Sequence, residues 1–361
     1  MNANHDPALQ RLIDQVLAAR DARQPLDIRG GGTKDFYGGP RSGEPLELCE
    51  LTGISSYEPS ELVVTVRAGT PLAELEQALA EKGQCLPFEP PRFGSGSVGG
   101  MVAAGLSGPS RAAVGCVRDY VLGTTVLNGQ GEVLTFGGQV MKNVAGYDVS
   151  RAYAGSMGVL GVILEVSLKV LPLAPTQATL GFEMAQAQAL RWLNGLTRQP
   201  LPVNASCWHD GRLLLRLRGA QAAVEAACRQ LGGERLEGEL AAATWLGLRD
   251  QQHGFFASAR TAAARLWRLS VPAVTPALAL PGETLIEWGG AQRWLRSDAP
   301  APELRRAAAL AGGHATLFQG KVAGDSVFTP LDATQMRLQQ QLKKAFDPHG
   351  LFNRGRLYPE F

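Results

Sequence analysis

Neither sign of charge dominates this sequence. Its 35 lysines and arginines are interspersed with 33 aspartates and glutamates, for a formal net charge of +2, so it offers no basic face of the kind a nucleic-acid partner requires. Cysteine is sparse: Cys49, Cys85, Cys116, Cys207 and Cys228 lie far apart and form no CxxC pair. That spacing argues against an iron–sulfur cluster or zinc site held by this chain, and fits reduced thiols in a cytoplasmic protein. Long apolar runs are missing too. Residues 158–173, the most apolar stretch, are interrupted by Glu165 and Lys169 and fall short of the roughly 20 apolar residues of a spanning helix. The start, MNANHDPALQR, has no basic segment followed by an apolar one, so no signal peptide is expected.

What the sequence has in quantity is glycine, unevenly placed. Residues 29–161 carry 25 of the 43 glycines. The length suits roughly two domains of about 100 to 200 residues each, and the Leu-Pro-Leu-Ala-Pro run at 171–175 is a natural break. Three units are expected: 1–173, 174–330, and a tail at 331–361 returning to the first.

Apolar spacing predicts helices over 8–20, 71–82, 185–196, 220–231, 303–311 and 333–346, and strands over 26–28, 47–51, 62–66, 162–171, 212–217, 266–271 and 284–288. Residues 120–127 and 132–136 flank Asn128-Gly129-Gln130-Gly131 and read as a hairpin. In the second half, strands alternate with helices, which suits a sheet with helices on one face.

Two glycine loops invite a chemical reading. Arg29-Gly30-Gly31-Gly32-Thr33-Lys34 can form a backbone nest for phosphate oxygens, or simply a flexible hairpin loop. Arg92 through Leu106, RFGSGSVGGMVAAGL, runs from glycines into helix-compatible residues. Free N–H groups at that helix start would suit a phosphate; a glycine-rich turn capping a small core helix is the alternative. Gly94-Ser-Gly-Ser-Val-Gly99 matches GxGxxG literally, yet a proline cluster precedes it and Asp119 stands before a strand instead of ending one. Both facts are wrong for a Rossmann unit. No GxxxxGK[ST] loop occurs.

Taken in order, these two loops and Gly155-Ser-Met-Gly-Val-Leu-Gly-Val-Ile163 resemble the vanillyl-alcohol-oxidase (PCMH-type) FAD-binding domain. Four further stretches narrow the likeness: residues 137–148, Glu287-Trp-Gly-Gly290, Arg293-Trp-Leu295, and the tail from Phe346-Asp-Pro348 to Gly355-Arg356. Together they resemble the FAD-binding E subunits of glycolate oxidase (glycolate dehydrogenase) complexes over nearly the whole chain. The resemblance implies an α+β fold, an FAD-binding domain with a smaller α+β cap. It implies FAD pyrophosphate between Gly30, Gly31, Gly32 and Thr33 on one side and Ser97, Gly99 and Gly100 on the other. Pro90 and Gly94 would lie beside the ring system, Gly158, Gly161, Val162 and Ile163 at the adenosine end, and Asn353 and Gly355 by the isoalloxazine. Non-covalent FAD is implied, since Thr33 stands where covalent relatives carry histidine.

Oxidising a 2-hydroxy acid requires a base, a cation for the carboxylate, and a flavin. His5, His209, His253, His314 and His349 stand apart in sequence and read as isolated, so no base or metal pair is assigned. Arg118, Lys142 and Arg293 are candidate carboxylate cations, with structural roles equally open. The resemblance therefore implies a redox subunit whose principal hydroxy-acid site lies on a partner. The expected partners are a second FAD subunit and an iron–sulfur subunit, with at most peripheral association at the inner face of the cell membrane. An autonomous FAD-dependent 2-hydroxy-acid dehydrogenase and a cofactor-free structural subunit are the alternatives.

Overall fold

Asp6 starts the first element by accepting from the backbone N–H groups of Ala8 and Leu9, a side-chain cap that satisfies two of a helix's orphan donors. The computed structural model describes residues 6–138, 148–261, 265–321 and 326–361. The helix so begun, Pro7–Ala22, lays Leu9, Leu12 and Val16 against Leu26, Leu46, Leu127, Val162 and Phe352. Next to it, Leu26–Arg29 pairs in parallel with Glu44–Glu47. This corrects the strand expected over 47–51. The pairing partner is exhausted where Arg29 enters the glycine loop, so the chain turns at Leu48, with Leu51 N–H donating to the Leu48 carbonyl.

A five-stranded antiparallel sheet runs in the order Ile54–Glu58, Val63–Arg67, Val162–Lys169, Val121–Leu127, Val133–Gly137. The last two strands form the predicted hairpin. Helices Leu72–Ala80 and Val98–Ala104 bury Leu72, Leu75, Leu79, Val98, Met101 and Val102 with Val64, Val66, Val126 and Val166. The sheet thus lies between these helices and the opening helix.

The chain leaves this sheet after Lys169 and enters an eight-stranded antiparallel sheet at Thr176. Alternation sorts its residues by face. Leu213, Leu215 and Leu217 pack with helices Gln186–Leu196 and Gln221–Leu231, and Trp267, Leu269 and Leu295 pack with Ala301–Leu310. Ala205, Cys207, Leu285 and Trp294 point the other way, toward Trp245 and Leu248 of helix Gly238–Arg249 and toward Leu106 and Tyr37 of the first half. The expectation of helices on one face is therefore incomplete: the second face is the junction with the glycine-rich half. Among the described residues no helix is long and apolar enough to cross a membrane.

The tail closes the first half. Helix Ala333–Phe346 delivers Lys343, whose ammonium donates to Asp347 (2.7 Å) and to the carbonyls of Val159 (2.7 Å) and Phe352 (2.8 Å). Asp347, fully buried, also accepts from the N–H groups of Leu351 and Phe352. Removing one member of a buried pair strands the other's charge, so Asp347→Ala is expected to cost about 3–5 kcal/mol. Urea unfolding of the native chain and the variant measures it; a change below about 1 kcal/mol would refute this account of the tail.

Candidate functional site

The two glycine loops meet. A Cβ on Gly31 would lie 2.1 Å from the Ser95 carbonyl oxygen, and one on Gly30 would lie 2.2 Å from Ser97 Oγ. Only glycine permits backbones this close. The seam floors an open cleft walled by Asp27, Arg41, Ala103, Ala104 and the turn at Met157 and Gly158.

The donors facing this cleft differ from those expected. At the start of helix Val98–Ala104 the amides are already engaged: Val98 donates to the Thr70 carbonyl, Gly99 to the Ala68 carbonyl, and Gly100 to Ser97 Oγ. The expected free helix start is thus absent, because the helix is sewn to the turn that follows strand Val63–Arg67. Instead, among the described residues, the N–H groups of Gly31, Gly32, Thr33, Lys34 and Ser97, which line the cleft, and of Ser95 and Gly96 beside it, donate to no protein acceptor. Unpaired amides in succession make an anion-binding concavity.

Cations reinforce it. Lys34 lines the cleft with its ammonium 3.5 Å from Thr33 Oγ1 and 5.8 Å from the Phe93 ring centroid. No carboxylate among the described residues pairs with it, and burial pushes its amine down to about 8. Arg41 holds Asp27 through Nε (2.9 Å) and Asp35 through Nη1, while its Nη2 is buried in the cleft wall without a partner. An unpaired ammonium, an orphaned guanidinium N–H and two rows of free amides are the donor set for a phosphate-bearing ligand.

Of the residues expected to touch cofactor, Gly30, Gly31, Gly32, Thr33, Ser97, Gly99, Gly100, Gly158, Gly161, Ile163 and Asn353 line this cleft. Pro90, Gly94, Val162 and Gly355 do not. Pro90 is buried and Gly94 exposed; Val162 points into the core beneath the opening helix; Gly355 packs its carbonyl on Gly39. The side chain of Asn353 is fully used by the backbone. Its oxygen accepts from Ile28 N–H and its amide donates to the Met157 carbonyl, both at 2.7 Å, so it ties the tail to the first strand and to the turn at Gly158. Sequence reading passed over Asp27, Arg41 and Arg356 as cleft residues. The Arg29-to-Lys34 cations were visible, but nothing in the pattern marked which would stay unpaired.

The carboxylate-binding candidates fare differently. Arg293 is consumed by the carbonyls of Gly290, Pro276 and Thr275, and Arg118 donates to the Ala154 carbonyl. Lys142 lies outside the described residues, as does most of the 137–148 string. The histidines are not all isolated, which corrects the sequence reading: the rings of His209 and His253 stand 5.4 Å apart, and His209 Nε2 lies 2.7 Å from Glu283. His209 ends strand Val203–His209 and His253 lies just before helix Gly254–Thr261, 44 residues further along the sequence. Among the described residues no group of three or more His, Cys, Asp or Glu side chains is placed to hold a metal ion.

A cleft between two glycine loops on an antiparallel sheet, in a chain with a second α+β unit, fits an FAD-binding oxidoreductase, and the family matches agree. Residues 9–137 match the FAD binding domain family. Alkyldihydroxyacetonephosphate synthase superposes with a TM-score of 0.65 at 14% identity, covering 95% of this chain and 74% of its own. The glycolate oxidase subunit GlcE of Escherichia coli (strain K12) is 47% identical over 352 residues, 97% of each chain; the chain belongs to this family of glycolate oxidase subunits. The subunit GlcD of Bacillus subtilis (strain 168) is 30% identical over 190 residues, 48% of this chain and 40% of its own.

Alanine at Gly31 would drive its methyl into the Ser95 carbonyl and part the loops. Gly31→Ala is expected to weaken FAD binding at least tenfold, about 1.4 kcal/mol, by quenching titration of flavin fluorescence. Unchanged affinity would disconnect the seam from the cofactor.

Proposed function

We propose that the chain holds FAD non-covalently in this cleft and serves as a redox subunit of a complex that oxidises glycolate, a 2-hydroxy acid, to glyoxylate. A second FAD-binding subunit stands beside it, and an iron–sulfur subunit is the onward acceptor. The observation that carries the reading is the near full-length identity to a glycolate oxidase subunit, joined to an FAD-binding domain whose cleft supplies unpaired amides and an unpaired lysine. The reading divides the chain as the sequence suggests, with residues 1–173 and the tail 331–361 around the cofactor and 174–330 as the cap.

In this assignment the free amides of Gly31 to Lys34 and of Ser95 to Ser97 hold the pyrophosphate from two sides. Gly99 and Gly100 let the backbone approach, and Lys34 neutralises charge. Ala103 and Ala104 present small side chains along one wall, and Gly158, Gly161 and Ile163 form the other. FAD bound there supplies a two-electron acceptor. Pro90 and Gly355 act one layer behind the wall, and Asn353 acts by fixing the floor. Thr33 offers no imidazole for a covalent flavin bond.

Acid precipitation of the purified chain tests the attachment: FAD is expected in the supernatant, and flavin left on the precipitate would refute it. Affinity purification of the chain from cells expressing the whole complex is expected to bring down a subunit with iron–sulfur absorption, and its absence would refute the proposed assembly. A pH titration tests Lys34. Its amine lies near 8 in the free cleft and would be raised by a bound anion, so its contribution is complete below that value and is lost as pH rises above it. FAD affinity of the native chain is expected to fall by up to about tenfold per pH unit above 8, whereas Lys34→Met should bind more weakly at pH 7 and show no such slope. Parallel profiles would remove Lys34 from the site.

A further inference from the structure

Helix Gly238–Arg249 has no polar face. Between residues 239 and 248 it reads ELAAATWLGL, with Glu239 its one charge. The inward side is accounted for: Ala241, Trp245 and Leu248 are buried, and the Trp245 indole donates to Thr179 Oγ1 at 2.9 Å. The outward side is not. At 3.6 residues per turn, Leu240, Gly247, Ala243, Glu239, Leu246 and Ala242 follow one another across that arc. Leu240 is 60% exposed and Leu246 46%, and Ala242 and Ala243 are exposed between them. Thr244 adds no polarity, because its hydroxyl donates back to the Leu240 carbonyl at 2.7 Å. A helix bordering water ordinarily carries polar residues on its outer face, and one that is apolar all round is covered on every side. Exposed apolar surface of this kind marks an interaction site.

A charged cavity opens beside it. Ala242 and Leu246 of the apolar face contribute one wall, and Glu89, Arg216, Arg218 and Arg249 supply the charged part of the lining. Its volume is about 180 Å³, well above the roughly 10–15 Å³ that admits one water. Positive charge is in excess there. Arg216 and Arg218 share one carboxylate, Glu89, at 2.7 and 3.1 Å, while Arg249 has its own partner in Asp250 at 2.9 Å. Arg216 is fixed, stacked 4.8 Å from the Trp245 ring centroid and bonded to Asn204 at 2.7 Å. Arg218 is the more open of the two: its side chain is partly exposed, and its Nη2 meets a neutral acceptor, Gln177 Oε1, at 3.2 Å. A guanidinium so placed gains a charge-assisted bond from an arriving carboxylate.

We propose that this face is where a partner subunit of the complex docks: a helix of the partner packs an apolar ridge between Leu240 and Leu246, over Ala242 and Ala243, and an aspartate or glutamate beside that ridge enters the cavity to meet Arg218. The proposal rests on the assembly reading above and adds the surface through which this chain takes part in it. Complementarity selects the occupant. Small side chains between two large ones leave a groove that a helix ridge fits. A second copy docking through the same patch would set two arginine-lined cavities against each other, and like charges across an interface are costly. Arginine among apolar contacts is also the composition found at the energetic centre of interfaces.

Cells expressing the whole complex, with an affinity tag on this chain, test it. The native chain is expected to recover its partner subunits in fixed ratio. Leu240→Glu and Leu246→Glu should each lower the recovered partner at least about tenfold, with flavin content and thermal melting of the purified chain unchanged. Arg218→Gln should lower recovery at low salt and lose the decline that the native complex shows as salt rises. Full recovery by both glutamate variants, or a native salt dependence in Arg218→Gln, would overturn the proposal. So would sedimentation of the isolated native chain as a dimer that Leu246→Glu dissociates, which assigns the face to a second copy. Adsorption of the chain to phosphatidylglycerol vesicles, lost in the same variant, would overturn it in favour of a lipid surface. A native chain that recovers no partner would instead overturn the assembly reading itself, and the docking face with it.

Discussion

Two backbones approach one another at Gly31 and Ser95–Gly96 with no space for a Cβ between them, and the cofactor cleft depends on that contact. Each loop is anchored on its outer side. The first continues the parallel strand Leu26–Arg29, and the second runs into a helix whose leading amides are bound to Ala68 and Thr70. Because those amides are satisfied by the turn after Arg67, the helix cannot drift away from the seam. The unpaired N–H groups are then left on the loops themselves, facing the cleft. A charged ligand arriving there meets donors already held in place, which lowers the ordering cost of binding.

Residues far apart in sequence hold the rest of the cleft. Asn353 joins the tail to Ile28 and Met157, and Arg356 donates to the carbonyls of Gly39 and Tyr37. These bonds explain why an Asn-x-Gly-Arg string stands at the end of a chain whose first strand begins at residue 26. The junction with the cap is ionic: Arg216 places its Nη2 2.7–2.8 Å from both oxygens of Glu89, and Arg218 adds a third contact at 3.1 Å. Burial acts to raise the Glu89 carboxyl, but the two arginines outweigh it and hold the group below the usual carboxylate range.

Much of the fold was legible because its signals are local. Leu72, Leu75 and Leu79 recur at helical spacing after a proline, and they form the buried face of Leu72–Ala80. Asn128 and Gly131 mark a hairpin that the strands on either side complete. The cap was less legible. Strands Val203–His209 and Gln292–Arg296 mix Asn, Ser, Gln and Arg into their buried positions, so alternation of apolar and polar residues is blurred, and only pairing with neighbours identifies them. Helix Gly238–Arg249 is rich in alanine and shows no sharp apolar stripe. The parallel partner of the first strand was misplaced by a few residues, since register against a distant strand is not encoded in either segment alone.

By itself the sequence determined which segments are glycine-rich, that they occur in the order of an FAD-binding domain, and which local stretches form helix or hairpin. These are properties of short windows, set by backbone freedom and by the spacing of apolar residues. The tertiary structure alone decided which polar groups remain unpaired. The helix-start amides that looked free are bound to the turn at Ala68 and Thr70 and to Ser97, Arg293 is spent on carbonyls, and two histidines that look isolated are neighbours. Lys34, unremarkable as a letter, is left facing the cofactor cleft without a counterion among the described residues. The physical reason is that pairing is a property of distance in the folded chain: a charge is available to a ligand only where the fold supplies no protein partner within reach.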